Sequence, residues 1–367
     1  MELHRLWLRN FRSHREVDLE WSPGVNLVVG PNGSGKTNLV EAVGFLSTSG
    51  SFRGVSNEVL ITAGTDGATV RAEVDVRDRR QLVEIDVPER GRVRMQVNRQ
   101  RLQRRRELLE TLQVTIFGPD DLDLVKSGPS ARRDFLDELV VQLRPIDEQI
   151  LSDWERSLRQ RNSLLKQSHG RLDEGAALTL DVWDTKAAAA GSDLHDRRTD
   201  VVQRLQPFVR GLYARLAGLP ETSPRAMVDL VLSSGWSPGI GLHDALVTAR
   251  TDDVRRGVTT VGPHRAELLV SLGGLPARTH ASQGEQRCLA LALRLAGHEM
   301  VTRLRDDAPV LILDDVFSEL DEDRATALVE VLPPGQTFIT SATSAPPGVV
   351  ADGVVRIVDG VPVMTRE

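Results

Sequence analysis

The stretch from Gly30 to Thr37 is the feature that most constrains this chain. Its order, Gly-Pro-Asn-Gly-Ser-Gly-Lys-Thr, fits the phosphate-loop pattern. The apolar run Val25–Val29 precedes it and predicts a buried strand, and apolar residues recur at helical spacing after it, from Leu39 to Leu46. A loop of this kind between a strand and a helix binds the phosphates of a nucleoside triphosphate. The sequence therefore predicts an α/β fold built around a nucleotide site.

Each part of this loop has a predicted role. The glycines allow backbone N–H groups to approach the β-phosphate, and the following helix presents the positive end of its dipole. Lys36 is expected to reach the β- and γ-phosphates, and the Thr37 hydroxyl to bind Mg²⁺ beside them. Lysine is rare here, with four in the chain against 42 arginines, and one stands where the motif requires it. The predicted nucleotide contacts in this segment are Gly30, Pro31, Asn32, Gly33, Ser34, Gly35, Lys36, Thr37 and Asn38.

A second motif is the apolar run Val310–Leu313, which ends in the carboxylates Asp314 and Asp315. In phosphate-loop ATPases a carboxylate after such a strand holds magnesium, and water is polarised nearby. We therefore predict that Asp314 binds Mg²⁺ together with Thr37, and that Asp315 is the candidate general base. Taken alone, the segment also fits a buried strand that runs into an acidic loop. The predicted catalytic residues are Lys36, Asp314 and Asp315.

A third motif is the small turn Ser282, Gln283 and Gly284, which precedes a helix predicted from Arg287 to Arg305. A hydroxyl, a glycine backbone and a helix N-terminus together predict a second anion site. An ordinary helix cap is the alternative for this turn.

Composition limits the remaining possibilities. A chain of 367 residues can bury a sizeable core, and its single cysteine, Cys288, excludes an internal disulfide framework. The sequence has neither a signal peptide nor an apolar run long enough to cross a bilayer, so we expect a cytoplasmic protein without a membrane partner. The net charge of −6 argues against a globally basic nucleic-acid binder, although a local basic surface can still hold DNA.

Residue periodicity divides the chain into strand-rich and helical parts. Period-two patterns predict strands at 17–21, 70–76, 83–87 and 93–97, and apolar runs predict others at 228–232, 267–272 and 310–313. Helical spacing predicts helices at 135–143, 150–165 and 176–216. Breaks or kinks in the last of these are expected at Gly191 and Pro207. Asp359-Gly360 predicts the turn of a terminal hairpin.

Several further segments share a pattern with a known family. They are residues 8–12 (Leu-Arg-Asn-Phe-Arg), 30–42, 51–53 (Ser-Phe-Arg), 117–122 (Phe-Gly-Pro-Asp-Asp-Leu), 132–137, 160–162 (Gln-Arg-Asn), 261–265 (Val-Gly-Pro-His-Arg) and 281–293. With these segments the chain resembles, over nearly its whole length, the RecF family of bacterial recombination and DNA-gap-repair ATPases, which are related to the heads of SMC and Rad50 proteins. It departs from the family at Ala266, where an acidic residue is usual, and at Asn98-Arg99, where Asn-Gly is usual.

The resemblance implies an ABC-type ATPase head of mixed sheets with flanking helices. Residues 1–143 and 256–367 would form this head, and residues 144–255 an inserted short helical arm. In that superfamily the turn at Ser282–Gly284 binds the γ-phosphate of a nucleotide held by the other subunit, and Ser318–Asp321 looks like its D-loop. An ATP-dependent homodimer is therefore implied. Arg12 is implied as a nucleotide contact, with a strand-edge arginine as the alternative.

The resemblance also implies a weak, DNA-stimulated ATPase that uses ATP and Mg²⁺ as a switch. Its partners would be DNA at single-strand gaps and RecR- and RecO-like proteins, and its role would be to help load recombinase. The alternative is another ABC- or SMC-like head without the gap-repair role. A transporter subunit is disfavoured because the separation between Lys36 and Ser282 is too long for it.

Two points stay open in the sequence. The superfamily commonly senses the γ-phosphate with a histidine after the acidic strand, whereas this chain offers the hydroxyls of Thr340, Ser341 and Thr343. The arginine-rich run from Arg90 to Arg106 fits a nucleic-acid-binding patch, and it also fits the solvated face of a strand, which is the reading that its alternation with Val93 and Met95 favours.

Overall fold

The computed structural model describes residues 1–77 and 79–365. The strands are β1 Glu2–Phe11, β2 His14–Glu20, β3 Val25–Val29, β4 Gly67–Val76, β5 Arg79–Pro88, β6 Arg94–Val97, β7 Gln100–Arg101, β8 Val114–Phe117, β9 Val228–Ser233, β10 Glu267–Leu272, β11 Leu275–Pro276, β12 Val310–Leu313, β13 Thr337–Ser341, β14 Gly353–Val358 and β15 Val361–Thr365. The α-helices are α1 Lys36–Thr48, α2 Asp123–Lys126, α3 Pro129–Leu143, α4 Glu148–Gln167, α5 Glu174–Leu216, α6 Leu242–Arg256, α7 Ala277–His280, α8 Gln283–Arg305 and α9 Glu322–Val331. No helix among these residues is both long enough and apolar enough to cross a bilayer.

The chain divides into two compact units. The larger contains residues 1–121, 211–221 and 287–367, and the smaller contains residues 122–210 and 222–286. These divisions lie away from the predicted head and arm boundaries at 143/144 and 255/256. The helix α3 packs on β10, and these contacts place both elements in the smaller unit together with the helices α4 and α6, which lie between them in the chain. The predicted boundaries stay a prediction.

A largely parallel sheet of the larger unit has the order β15-β14-β3-β13-β12-β8. The strand β3 pairs in parallel with β13 and β14, and β12 pairs in parallel with β13 and β8. Every residue of β12 is buried, which agrees with the apolar run predicted there. Because the carboxyl ends of parallel strands meet at one edge, the residues that follow β3, β13 and β12 lie along the same edge of the sheet, with β13 between the other two strands.

An antiparallel sheet in the same unit has the order β2-β1-β4-β5-β6-β7. Its strands β4 and β5 bury alternate residues, as the period-two patterns predict. The buried face joins one apolar core with the helix α1, in which Leu39, Val43 and Phe45 are almost fully inaccessible to solvent. This core holds α1, and therefore the phosphate loop before it, between the two sheets of the unit.

In the smaller unit, long helices accompany the three-stranded sheet β11-β10-β9. The helix α5 runs for 43 residues through Gly191 and Pro207, so the helix is not broken at either residue, and a kink there stays a prediction. A β-carbon at Gly191 would lie 2.5 Å from Leu242 Cδ2 and 2.9 Å from a ring carbon of Trp154. Gly191 therefore permits close packing of this helix against its neighbours, which a local sequence pattern does not reveal.

A buried network of charges joins three helices of the smaller unit. Arg161 on α4 is fully buried, and its Nε donates to Asp184 on α5 at 2.6 Å. Its Nη1 donates to Asp253 on α6 at 2.7 Å and to the Thr259 hydroxyl at 2.8 Å. Arg250 on α6 donates to the second oxygen of Asp184. Removing one partner of such a buried pair is strongly destabilising, so the network fixes how these helices pack.

His298 on α8 gives the larger unit a predictable response to acid. Its ring is buried, Nδ1 lies 3.1 Å from the Thr115 hydroxyl, and burial lowers its pKa from 6.5 to about 4. Since the unfolded chain binds this proton more readily, stability should fall as the pH drops from 6.5 towards 4. At pH 5 the loss from this one group should be about 2 kcal/mol.

Urea denaturation of the wild type and of His298→Asn at pH 7 and pH 5 measures this effect. The variant is expected to lose about 2 kcal/mol less than the wild type between the two pH values. The other histidines are present in both proteins, so the difference isolates His298. Equal losses in both proteins would show that His298 does not resist protonation in the folded state.

Candidate nucleotide-binding site

The phosphate loop lies between β3 and α1, as the sequence predicts. Gly33 and Gly35 have φ angles of 80° and 108°, in the region that favours glycine. Gly35 precedes α1 as its N-cap, and a β-carbon there would lie 2.9 Å from the Ser13 hydroxyl oxygen and 3.1 Å from the His14 ring. The loop thus turns sharply against the β1–β2 connection and directs the N-terminus of α1 towards its open side.

Lys36 is 7% exposed and folds back over the loop. Its Nζ donates to the carbonyl oxygens of Gly30 at 2.7 Å and Pro31 at 3.0 Å. An ammonium group has three donors, so a third remains for an anion at the loop. The lysine therefore both closes the loop and supplies the positive charge expected beside phosphates.

Thr37 connects this loop to the acidic strand. Its hydroxyl donates to Asp314 Oδ1 at 3.1 Å, and Asp314 directly follows β12. The Thr340 hydroxyl on β13 donates to the same oxygen at 2.8 Å and accepts from the backbone N–H of Asp315 at 2.8 Å. Two hydroxyls and two consecutive aspartates thus meet at the carboxyl edge of the parallel sheet.

Asp314 is 4% exposed, and its electrostatics fit a cation-binding position. Burial raises the pKa of its carboxyl above the ordinary value, and the charge of Asp315 acts in the same direction. Hydrogen bonds from Thr340 and Thr37 and the charge of Lys36 oppose this rise in pKa. A cation beside this carboxylate would favour its charged form in the same way.

Asp315 has an unusual backbone for a residue other than glycine. Its φ is 54°, in the left-handed region, where aspartate and asparagine are more frequent than most residues. Its side chain is partly exposed and lines a cavity, whereas Asp314 is buried beside it. The two carboxylates therefore have different surroundings, as expected for a metal ligand and a general base.

An open cavity of about 360 Å³ lies over the loop and belongs wholly to the larger unit. It is lined by Asn32, Gly33, Gly35, Lys36, Thr37, Asn38, Arg53, Asp315 and Thr340. Arg53 and Thr340 are not among the site residues predicted from the sequence. Both stand in stretches that the sequence marks, the Ser-Phe-Arg segment and the run of hydroxyls after the acidic strand. Arg53 is exposed and brings a second positive charge to the cavity.

Arg12 is engaged in a different contact from the predicted one. Its Nε and Nη2 donate to the two carboxylate oxygens of Glu41 on α1, at 2.7 and 2.8 Å, and Nη1 donates to the Val59 carbonyl. Glu41 is fully buried and also accepts from the Ser51 hydroxyl. Arg12 therefore braces the loop-bearing helix. A direct contact between Arg12 and nucleotide stays a prediction.

The turn at Ser282 lies in the smaller unit and begins α8. The backbone N–H and the hydroxyl of Ser282 both donate to Glu285 Oε2 at 2.8 Å, and the Glu285 N–H donates back to the hydroxyl at 3.3 Å. Hydrogen bonds from Ser282 lower the pKa of Glu285. This is a capping box, with Gln283 and Gly284 in the first turn of the helix. A carboxylate thus occupies donors that the prediction gives to a phosphate.

The chemistry of these residues fits ATP with Mg²⁺. Within residues 1–77 and 79–365, no group of three or more His, Cys, Asp or Glu side chains could hold a metal by itself. Mg²⁺ in nucleotide sites is commonly held by one or two carboxylates together with substrate phosphates and water. A single buried carboxylate beside a threonine hydroxyl matches that pattern.

Comparisons with known proteins agree with this geometry. The model of the RecF/RecN/SMC N-terminal domain family matches residues 2–357. The DNA replication and repair protein RecF of Streptomyces avermitilis is 43% identical over 362 residues, with 96% of each chain covered. The protein of that name from Frankia alni is 41% identical over 357 residues, with 94% of each chain covered.

Solved structures give the same result for the fold. A structure of the recombination mediator protein RecF-ATP of the RecFOR pathway superposes with a TM-score of 0.89 at 30% identity, covering 99% of this chain and 97% of that one. An Smc head domain from Pyrococcus furiosus superposes with a TM-score of 0.56 at 18% identity, covering 99% and 95%. The predicted fold class, an α/β ABC-type ATPase head, is confirmed. The chain belongs to the RecF family of DNA replication and repair proteins.

Proposed function

We propose that this protein is an ATP-controlled DNA clamp that acts at single-strand gaps during recombinational repair. The observation that carries the proposal is the junction of the phosphate loop with the acidic strand, where the Thr37 hydroxyl lies 3.1 Å from Asp314. Nothing in a purely structural role requires a lysine, two hydroxyls and two carboxylates at one sheet edge. The family supports the repair role, and we place the protein in the cytoplasm.

At this site Lys36 and the backbone of residues 30–35 would hold the β- and γ-phosphates of ATP. Arg53 lines the same cavity and would add a contact with phosphate. Thr37 and Asp314 would bind Mg²⁺, which supplies charge neutralisation at the phosphates when it is present. Asp315 would accept the proton of the attacking water as the general base.

Thr340 is our candidate for the residue that responds to the γ-phosphate. Of the three hydroxyls offered by the sequence, it is the one that lines the cavity and contacts Asp314 and Asp315. A neutral hydroxyl in place of the histidine usual in the superfamily provides no ionisable group. We therefore propose slow hydrolysis, with ATP acting mainly as a timer and DNA raising the rate.

Dimerisation would complete the site. Ser282, Gln283 and Gly284 form a helix N-terminus suited to an anion, and we propose that they contact the γ-phosphate bound by a second copy. Glu285 would have to release the Ser282 donors when that phosphate arrives. The clamp would then enclose gapped DNA and present it to RecR- and RecO-like proteins for recombinase loading.

Light scattering with and without ATP, Mg²⁺ and gapped DNA tests this proposal. The wild type should dimerise only with ATP, and Ser282→Arg should stay monomeric because its long cationic side chain obstructs the anion site. The matched control is Ser152→Arg, which alters an exposed serine of α4 elsewhere in the smaller unit and should dimerise normally. A wild type that stays monomeric with ATP and DNA would overturn the dimer mechanism. ATP-dependent dimers of Ser282→Arg would exclude the Ser282 turn from it.

A further inference from the structure

Positive charge is concentrated in one short segment of this acidic protein. Residues 88–106 contain eight arginines and one glutamate, a net charge of +7. Because the whole chain has a net charge of −6, the other residues together carry −13. A genome that prefers arginine to lysine explains the residue type, but it does not explain this segregation of charge.

The segment connects β5 to β6 and contains the last hairpin of the antiparallel sheet, β6–β7. Within residues 1–77 and 79–365 the strand β7 pairs only with β6, so it is an edge of the sheet. Met95 and Val97 of β6 pack against the core, which places Arg94 on the opposite face. Arg101 of β7 pairs with Gln96 and is therefore a diagonal neighbour of Arg94 on that outer face.

Five arginines of this segment form what we call the arginine edge: Arg90, Arg92, Arg94, Arg99 and Arg101. All five are exposed. Among residues 1–77 and 79–365 none of them has a carboxylate within ion-pair distance. By contrast, Arg105 donates to the Ser49 hydroxyl and carbonyl at 2.8 and 2.7 Å and so caps the end of α1. Arg105 therefore has a structural role, whereas within the described part of the chain the side chains of the arginine edge form no hydrogen bond or ion pair.

Two ordinary explanations for such arginines do not account for the edge. Arg94 is paired in register with Asp86, yet that carboxylate accepts a hydrogen bond from Thr69 instead. Charged side chains also protect sheet edges from pairing with other chains. On the edge strand β7 itself this purpose would concern Arg101 alone, whereas the arginine edge also includes cations on β6 and in the turns on either side of it, and among the described residues none of them is paired with a carboxylate.

Arg99 adds an independent observation. The turn Asn98-Arg99 joins β6 to β7 with both residues at positive φ, 49° and 65°. Glycine is favoured at the second position of such a turn, and a long side chain there is held at a cost in stability. Arginine at a position where glycine would be more stable indicates that its charge has a use outside the fold.

We infer that the arginine edge binds the phosphodiester backbone of DNA. The inference rests on the DNA binding proposed above and adds the surface that performs it. Exposed guanidinium groups without carboxylate partners match a repeating phosphate backbone in charge, and they release its counterions on binding. Base-edge recognition is not required, so the contact should depend strongly on salt and little on sequence.

The test is DNA binding by fluorescence anisotropy, with ATP and a labelled gapped duplex, over a series of salt concentrations. In the triple variant Arg92→Gln, Arg99→Gln, Arg101→Gln, affinity at 0.1 M salt should fall at least about tenfold. The slope of log affinity against log salt should decrease by about 2 to 3, since each phosphate contact contributes about 0.9. The ATPase rate without DNA should stay unchanged, because these residues lie outside the nucleotide site.

A second variant separates binding from folding. Arg99→Gly removes one cation and relieves the left-handed backbone, so it should bind DNA several-fold more weakly while its thermal stability stays equal or rises. The matched control for the triple variant of the arginine edge is Arg156→Gln, Arg171→Gln, Arg256→Gln, which removes three exposed arginines from the smaller unit. It should keep both the affinity and the salt slope of the wild type.

The outcomes are distinct. Wild-type affinity and slope in the Arg92/Arg99/Arg101 variant would overturn the arginine edge as a DNA surface while leaving the proposed function intact. Equal losses in this variant and in the control would overturn it as well, because the effect would then be one of net charge. A wild type that fails to bind gapped DNA would overturn both proposals.

Discussion

Replacement of Lys36 by methionine should weaken ATP binding by at least about 100-fold and abolish measurable turnover. The ammonium group is the buried positive charge of the phosphate loop, and each hydrogen bond from such a group to a phosphate contributes about 1.5 to 3 kcal/mol. Methionine keeps most of the side-chain volume but has no donor. Isothermal titration with a slowly hydrolysed ATP analogue measures the affinity, and a malachite-green assay measures the turnover.

Lys36 also donates to Gly30 and Pro31, so the loss of nucleotide binding must be distinguished from a collapsed loop. Thermal unfolding without nucleotide should show only a small shift, because relief of the buried charge offsets the loss of two hydrogen bonds. The control is Lys126→Met, the same substitution at an exposed lysine, which should bind ATP normally. ATP binding by Lys36→Met at wild-type affinity would remove the phosphate loop from the site.

Replacement of Asp315 by asparagine should lower kcat by about 100- to 10,000-fold while ATP affinity changes little. Asparagine has nearly the same shape, tolerates the left-handed φ of 54°, and keeps the backbone N–H that donates to Thr340. It cannot accept a proton from water. Single-turnover hydrolysis and equilibrium ATP binding, measured on the same preparation, separate the two effects.

Asp314→Asn should behave differently, because the buried carboxylate is the proposed magnesium ligand. Its ATP affinity should lose most of its dependence on Mg²⁺, as measured by titration with and without the metal. Asp323→Asn, at an exposed carboxylate of α9, is the control for both aspartate variants and should match the wild type in both assays.

For the Asp315 prediction, the contradicting result is hydrolysis by Asp315→Asn at the wild-type rate. That result would assign the general base to another group.

The sequence predicts the parts of this site that are continuous in the chain. The loop from Gly30 to Thr37 and the acidic strand before Asp314 carry their signals within a few residues, and the hairpin turn at Asp359-Gly360 lies between β14 and β15 as expected. The sequence alone does not distinguish Thr340 from Ser341 and Thr343 as the hydroxyl at the site. Its place is set by the parallel pairing of β13 with β3 and β12, strands that are far apart in the chain.

The roles of Arg12 and Gly191 do not follow from the local sequence pattern. The partner of Arg12 is a carboxylate 29 residues away, and a strand pattern gives no sign of it. Gly191 has a local signal that favours a helix break, yet close packing against Trp154 and Leu242 outweighs it. In both cases tertiary contacts, and not the local sequence pattern, determine the role of the residue.

The buried network around Arg161 has a practical consequence for handling the protein. Salt screens exposed charges strongly, since the Debye length is about 3 Å at 1 M, but it acts little on pairs that water cannot reach. A wash at high ionic strength should therefore strip nucleic acid from surface arginines without loosening the helices that Arg161 joins to Asp184 and Asp253. If the proposed DNA binding holds, DNA that co-purifies with the protein should be removable in this way while the smaller unit stays folded.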